Sequence, residues 1–221
     1  MKHSLVVATT NRGKLAELRE LLAGLDVEVL AVSDVSARPI DVVEDGNTFE
    51  ANAVKKAREV SAKTLMLTLA DDSGLEVDAL EGAPGVYSAR FAGERATDAE
   101  NNAQLIARLE ALAHANDGGA GRPFKARFRC VLALVDPYTR DGEPYVCEGT
   151  CSGTISLTPR GAGGFGYDPL FVVDGLGKTM AELSENEKNQ VSHRAQAMRS
   201  LRLALEKTLL ARDTFVRAIT G

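Results

Sequence analysis

No stretch of this sequence approaches the roughly 20 consecutive apolar residues that a bilayer-spanning helix needs. The N-terminal apolar segment is only Leu5 to Ala8, too short for a secretory signal. The three cysteines, Cys130, Cys147 and Cys151, are an odd set without metal-ligand spacing, so they read as reduced thiols of a cytoplasmic protein. All the histidines lie well away from them in sequence, which leaves each thiol without an activating neighbour. A net charge of −5 provides no global basic footprint for nucleic acid. There is no Walker A glycine spacing, internal repeat, linker or low-complexity segment. What remains is 221 residues, 44% hydrophobic and 26% charged. That is the composition of an ordinary globular protein, with enough chain for one sizeable domain or two tightly joined lobes.

The most informative stretch is an apolar run, Leu65 to Ala70, that ends in Asp71-Asp72-Ser73-Gly74. A buried strand has this pattern when it delivers acidic side chains to the mouth of a cleft at its carboxyl end. Two adjacent carboxylates cannot both ionise cheaply in a partly buried place unless a cation neutralises them. Hard oxygen ligands suit Mg²⁺, so the stretch points to a Mg²⁺–carboxylate site for phosphate chemistry. A strand ending in an ordinary polar turn fits the same letters.

Upstream, Leu5 to Ala8 reads as a strand, followed by Thr9-Thr10-Asn11-Arg12-Gly13-Lys14 and a helix with Leu15, Leu18, Leu21 and Leu22 on one face. Strand, polar turn and helix aim backbone N–H groups at an anion, and Lys14 adds a point charge; a plain capped helix is the alternative. Val27 to Leu30 reads as a second strand. Asn47 or Thr48 then caps a helix whose apolar face is Phe49, Ala53, Ala57 and Val60. Of the adjacent Lys55 and Lys56, which point about 100° apart, one can reach inward. Glu44 and Asp45 serve either as helix-dipole partners or as further metal-facing carboxylates.

Downstream, Thr97 and Glu100 form a capping box that opens a helix through about Leu112. A polar loop from His114 to Pro123 leads to a long hairpin, Ala126–Asp136 with Tyr145–Cys151, turning between Asp136 and Gly142. Gly163-Gly164-Phe165-Gly166-Tyr167-Asp168 is a glycine loop in which Phe165 and Tyr167 offer ring faces for a base and Asp168 an acceptor for a ring N–H; a mere turn is the alternative. Ser184 caps a short helix carrying Lys188. Ser192 caps the last helix, which places His193 and Arg194 in its first turn, where a cation opposes the helix dipole.

Taken in order, Thr9-Thr10-Asn11-x-Gly13-Lys14, Asp71-Asp72-Ser73-Gly74, Gly82-Ala83-Pro84-Gly85, Gly164-Phe165-Gly166-Tyr167-Asp168-Pro169 and Ser192-His193-Arg194 strongly resemble the inosine triphosphate pyrophosphatase family. The resemblance runs from about Leu5 to Lys207. It implies an α/β fold: a long twisted mixed β-sheet flanked by helices, forming over residues 1–221 a single domain of two lobes with a central cleft between them. It also implies a cytoplasmic homodimer that requires Mg²⁺ and hydrolyses ITP, dITP and XTP to the monophosphate and pyrophosphate, without a nucleic-acid or membrane partner. Residue by residue, it implies that Thr9, Thr10, Asn11, Gly13 and Lys14 bind the triphosphate and that Lys56 faces the phosphates. Glu44 and Asp72 are the metal carboxylates, with Asp71 beside them, and Asp72 is also the proton acceptor. Ser73, Phe165, Gly166, Tyr167, Asp168, Lys188, His193 and Arg194 contact the nucleotide. Tyr167 stands where some members carry tryptophan.

Overall fold

The computed structural model describes residues 2–115, 123–138 and 142–220. Most of the expected 114–123 loop and the tip of the expected 136–142 turn lie outside the described residues. Six strands form one mixed sheet in the order β2-β1-β3-β4-β5-β6. They are β1 (His3–Ala8), β2 (Val27–Ala31), β3 (Leu67–Val77), β4 (Phe124–Val135), β5 (Tyr145–Ile155) and β6 (Phe171–Val173). β1 runs parallel to both β2 and β3, whereas β5 and β6 are antiparallel.

The helices are α1 (Arg12–Leu21), α2 (Val32–Val35), α3 (Phe49–Thr64), α4 (Asp98–Ala115), α5 (Glu185–Val191) and α6 (His193–Thr220). Their starts follow local sequence chemistry. Asn11 accepts from Lys14 N–H, Thr48 from Ala51 N–H and Ser184 from Glu187 N–H, each satisfying an orphan donor of a first turn. Thr97 and Glu100 form the expected reciprocal box, and Ser192 Oγ accepts from Ala195 N–H at the start of α6.

The chain divides into two compact units. The first comprises Met1–Asp72, Cys130–Gly149 and Gln196–Gly221. Its core joins Leu5 and Val7 of β1, Leu67 and Leu69 of β3 and Leu132 of β4 to Leu18 and Leu22, and to Leu201 and Leu205 of α6. The end of α6 is fastened by Arg212, whose Nε and Nη2 donate to the two oxygens of Asp136 at 2.8 and 2.7 Å. The second unit comprises Ser73–Arg129 and Thr150–Ala195. Its core joins Leu75 and Val77, Leu105 and Leu109 of α4, Phe128, Ile155, Phe171 and Met180.

One expectation about β3 is corrected. The acidic pair does not end the strand; β3 continues from Leu67 through Asp71, Asp72, Ser73 and Gly74 to Val77. Gly74 is there for close approach, not for a turn: a Cβ on it would strike Ser88 Oγ and come 2.6 Å from the Gly85 carbonyl. Ser88 Oγ accepts from Leu75 N–H at 2.9 Å and donates to Gly85 O at 2.6 Å.

Candidate active site

In the first unit, mid-strand placement buries both carboxylates of β3. Asp71 has no exposed surface and Asp72 has 5%. Ionised acids at such depth require partners, and the neighbouring elements provide them. Lys14, in the first turn of α1, lies 2.7 Å from Asp71 Oδ1. The Cys130 thiol of β4 donates to Asp71 Oδ2 at 3.1 Å. Lys56, on the inward face of α3 and itself buried, donates to Asp72 Oδ1 at 3.0 Å, to Glu44 Oε1 at 3.1 Å and to the Asp71 carbonyl at 2.8 Å. Of the two adjacent lysines, Lys56 is therefore the inward one. Lys55 pairs with Asp45 at the surface, 2.6 Å apart.

The charges are mutually tuned. Burial disfavours the charged form of Lys56, but the attraction of Asp72, Glu44 and Asp71 outweighs it and raises its pKa. Burial likewise opposes ionisation of Glu44, but the Lys56 ammonium, with Lys14 and a hydrogen bond from Asp72, holds it below the usual range. Asp72 goes the other way. Burial is the main cause; with the nearby Glu44 charge it pushes the carboxyl up against the pull of Lys56 and Lys14.

Asp71 was expected among the metal carboxylates. Its oxygens face Lys14 and Cys130, and among the described residues no group of three His, Cys, Asp or Glu side chains is set to hold a metal. Glu44 and Asp72 are the pair that fits a cation: hard oxygen donors in mutual electrostatic contact. Mg²⁺ takes one or two protein carboxylates and fills its other positions with water and phosphate oxygens, so two are enough. Thr9 Oγ1 accepts from Asn11 N–H at 3.2 Å, which folds the turn before α1, while Thr10 is exposed.

In the second unit, the glycine loop, α5 and the start of α6 converge. Lys188 donates to Asp168 Oδ2 at 3.0 Å, and both are buried. Gly164, at φ +76°, passes so close that a Cβ would overlap Asp168 Oδ2 and lie 2.5 Å from Lys188 Nζ. Arg194 is 1% exposed; it donates to Ser73 Oγ at 2.9 Å and lies 5.8 Å from the Phe165 ring centroid. His193 stacks on Phe128 with ring centroids 4.8 Å apart. The first-turn cation that opposes the helix dipole is thus a buried guanidinium held by a hydroxyl.

Tyr167 differs from expectation. Its ring belongs to the core and its hydroxyl donates to the Ser88 carbonyl at 2.9 Å, so it braces the loop, while Phe165 is partly exposed. Sequence reading missed a clamp from α4: Gly166 N–H donates to Asp98 Oδ2 at 2.7 Å, and Asn102 Nδ2 donates to Gly166 O at 3.0 Å. It also missed Asn52, buried beside Asp72. The signal was present, since Asn52 and Lys56 lie four apart on the otherwise apolar face of α3. Burial pushes the Cys147 and Cys151 thiols up to about 11, which keeps them protonated and unreactive.

The model of the Ham1 family matches residues 5–204. A dITP/XTP pyrophosphatase of Desulforamulus reducens is 48% identical over 195 residues, covering 88% of this chain and 92% of that protein. One of Geobacter sulfurreducens is 49% identical over 198 residues, covering 90% and 94%. Among solved structures, a HAM1 protein from Coxiella burnetii superposes with a TM-score of 0.79 at 41% identity, covering 94% of this chain and 100% of that one.

Proposed function

Because the chain belongs to the Ham1 family, we propose that it is a nucleoside triphosphate pyrophosphohydrolase of non-canonical purine nucleotides. Its substrates are ITP, dITP and XTP, and its products are the monophosphate and pyrophosphate. The observation that carries this reading is the charge cluster in which buried Lys56 and Asp72 are joined by the more exposed Glu44 and Lys14, suited to phosphate chemistry in a chain whose relatives bear that activity in their names. The base is taken by the cluster of Phe165, Asp168, Lys188, His193 and Arg194. The two clusters meet in sequence at the Asp72–Ser73 peptide bond of β3.

Water attacks the α-phosphorus, the bond from that phosphorus to the bridging oxygen breaks, and pyrophosphate leaves. Little covalent work is required, so positioning and charge neutralisation dominate. Asp72 orients the water and accepts its proton. Lys14 and Lys56 supply positive charge to the phosphates. Mg²⁺ held by Glu44 and Asp72 would offset charge on the leaving group. Arg194 donates to the 6-oxo group of the purine and meets the amino group of adenine badly. Family membership also supports a homodimer that works in the cytoplasm, and light scattering coupled to size-exclusion chromatography tests the dimer.

The experiment is turnover of ITP, XTP, dITP, GTP, ATP and dUTP with Mg²⁺ and with products separated. IMP plus pyrophosphate, with ATP and GTP poorly used, is the expected result. IDP plus phosphate would place attack at the γ-phosphorus and overturn the mechanism. Preference for dUTP would move the protein to pyrimidine substrates, and ITP bound without turnover would make it a regulatory module.

A further inference from the structure

Three consecutive residues of the segment before α3 are each fastened to that helix. Glu44 is held by Lys56, Asp45 by Lys55, and Gly46 by Asn52. The first two are ion pairs, but the third is a different device. Asn52 is 1% exposed. Its Oδ1 accepts from Gly46 N–H at 2.8 Å, and its Nδ2 faces Gly46 O at 3.4 Å. The same Nδ2 donates to Asp72 Oδ2 at 3.2 Å. One buried amide therefore meets both the N–H and the C=O of Gly46, two residues from Glu44, and through its Nδ2 also an oxygen of Asp72. The fit is close: a Cβ on Gly46 would lie 2.6 Å from Asn52 Oδ1 and 2.9 Å from Ala51 Cβ. The φ of Gly46 is not in the left-handed region, so glycine is needed there for approach and not for backbone conformation.

We infer that Asn52 is a positioning residue that fixes the carboxylate of Glu44, on its loop, against the carboxylate of Asp72, on β3, and so presets the pair for a divalent cation. This rests on the proposed pyrophosphohydrolase reading of the same cluster. The physical reason lies in the different natures of the two ligands. Asp72 is held by a sheet. Glu44 sits on a segment with no regular structure, and its direct tie, Lys56, carries positive charge where the cation is to sit. A neutral amide can hold the segment without competing for the metal or repelling it. Groups that support metal ligands in this way usually change affinity by about 10–100-fold when removed.

The test is Asn52→Ala beside Gly46→Ala, which loosens the same contact from the loop side and alters no carboxylate. Binding of Mn²⁺ to the nucleotide-free protein is followed by electron paramagnetic resonance. Amide hydrogen exchange at Gly46 and the Mg²⁺ dependence of ITP turnover are measured in parallel. Both variants are expected to lose protection at residue 46, to bind Mn²⁺ about tenfold or more weakly, and to need correspondingly more Mg²⁺ for half-maximal rate. At saturating metal, KM for ITP should stay within about threefold of the parent, because the lysines and the base cluster are intact. Unchanged Mn²⁺ affinity in both variants, with turnover retained in the parent, overturns the inference and leaves the proposed function standing. A parent protein that turns over no ITP overturns the function itself, whereas a parent that turns over ITP but binds no Mn²⁺ without nucleotide overturns only the inference of a preset pair. If Asn52→Ala does not fold, Gly46→Ala decides alone, and Asn52→Gln, which keeps the amide but overreaches, must also weaken Mn²⁺ binding.

Discussion

Lys56 donates to Asp72 at 3.0 Å with both side chains buried, and the pair is set in the middle of α3 and the middle of β3. Placing a cation and an acid on two rigid elements defines their separation before any ligand arrives. It also makes loss of the cation costly, because buried carboxylates are then left without a partner.

Asp72→Asn should lower kcat by about 100-fold or more while ITP binding largely persists, because the amide keeps the shape and loses the base. Steady-state kinetics set against calorimetric binding checks this. Near-normal turnover would remove Asp72 from the role of proton acceptor.

The same substitution should not destabilise the metal-free protein at pH 7. The folded pKa of Asp72 is raised above the ordinary 3.8, chiefly by burial. A raised folded value gives stability that is complete below the unfolded pKa and lost as pH rises through the folded one. Charged Asp72 is therefore a burden at neutral pH, and Asp72→Asn should melt no lower than the parent. Glu44 has the opposite sign: its lowered pKa contributes stability present above the ordinary carboxylate range and lost as pH falls through the folded value.

Lys56→Met should cost about 3 kcal/mol at neutral pH, since it leaves buried carboxylates without their cation. Denaturant titration at pH 7 and again at pH 4 tests it. The loss should shrink at the lower pH, where Asp72 begins to take up a proton. An equal loss at both pH values would assign the cost to packing.

Arg194→Ala should reduce kcat/KM for ITP by about 100-fold and affect ATP far less, because only the 6-oxo purine uses its donor. Equal losses on both nucleotides would contradict the assignment and point to a structural role through Ser73.

Arg212→Ala should lower stability by about 2 kcal/mol, the scale of charge-assisted hydrogen bonds lost from a partly buried acid, and leave turnover unchanged. Burial opposes ionisation of Asp136, but the Arg212 bonds and Tyr138 N–H outweigh it and keep its pKa low. That contribution is present above the ordinary aspartate value and fades as pH falls through the folded one, which a series of thermal melts from pH 7 downward would show.

Much of this molecule was legible in its letters because the signals are local. Capping depends on a side chain and an amide three residues apart, so Asn11, Thr48, Thr97, Ser184 and Ser192 could be read directly. Apolar runs defined the strands, and the run of glycines with Asp168 marked the loop. The lone arginine at the start of α6 declared itself by opposing a dipole. Tertiary structure alone decided what depends on elements distant in the chain. Asp71-Asp72 looked like a strand end because acids rarely lie inside a sheet; Lys14 from α1 and Lys56 from α3 neutralise them and let β3 continue. Tyr167 looked like a stacking surface because a ring in a glycine loop is usually exposed; the carbonyl of Ser88, 79 residues away in sequence, takes its hydroxyl and draws it into the core. Asn52 could be placed on the inward face of α3, four residues before Lys56, but its partners could not be read, because Gly46 and Asp72 meet it only when the loop and the strand fold against α3.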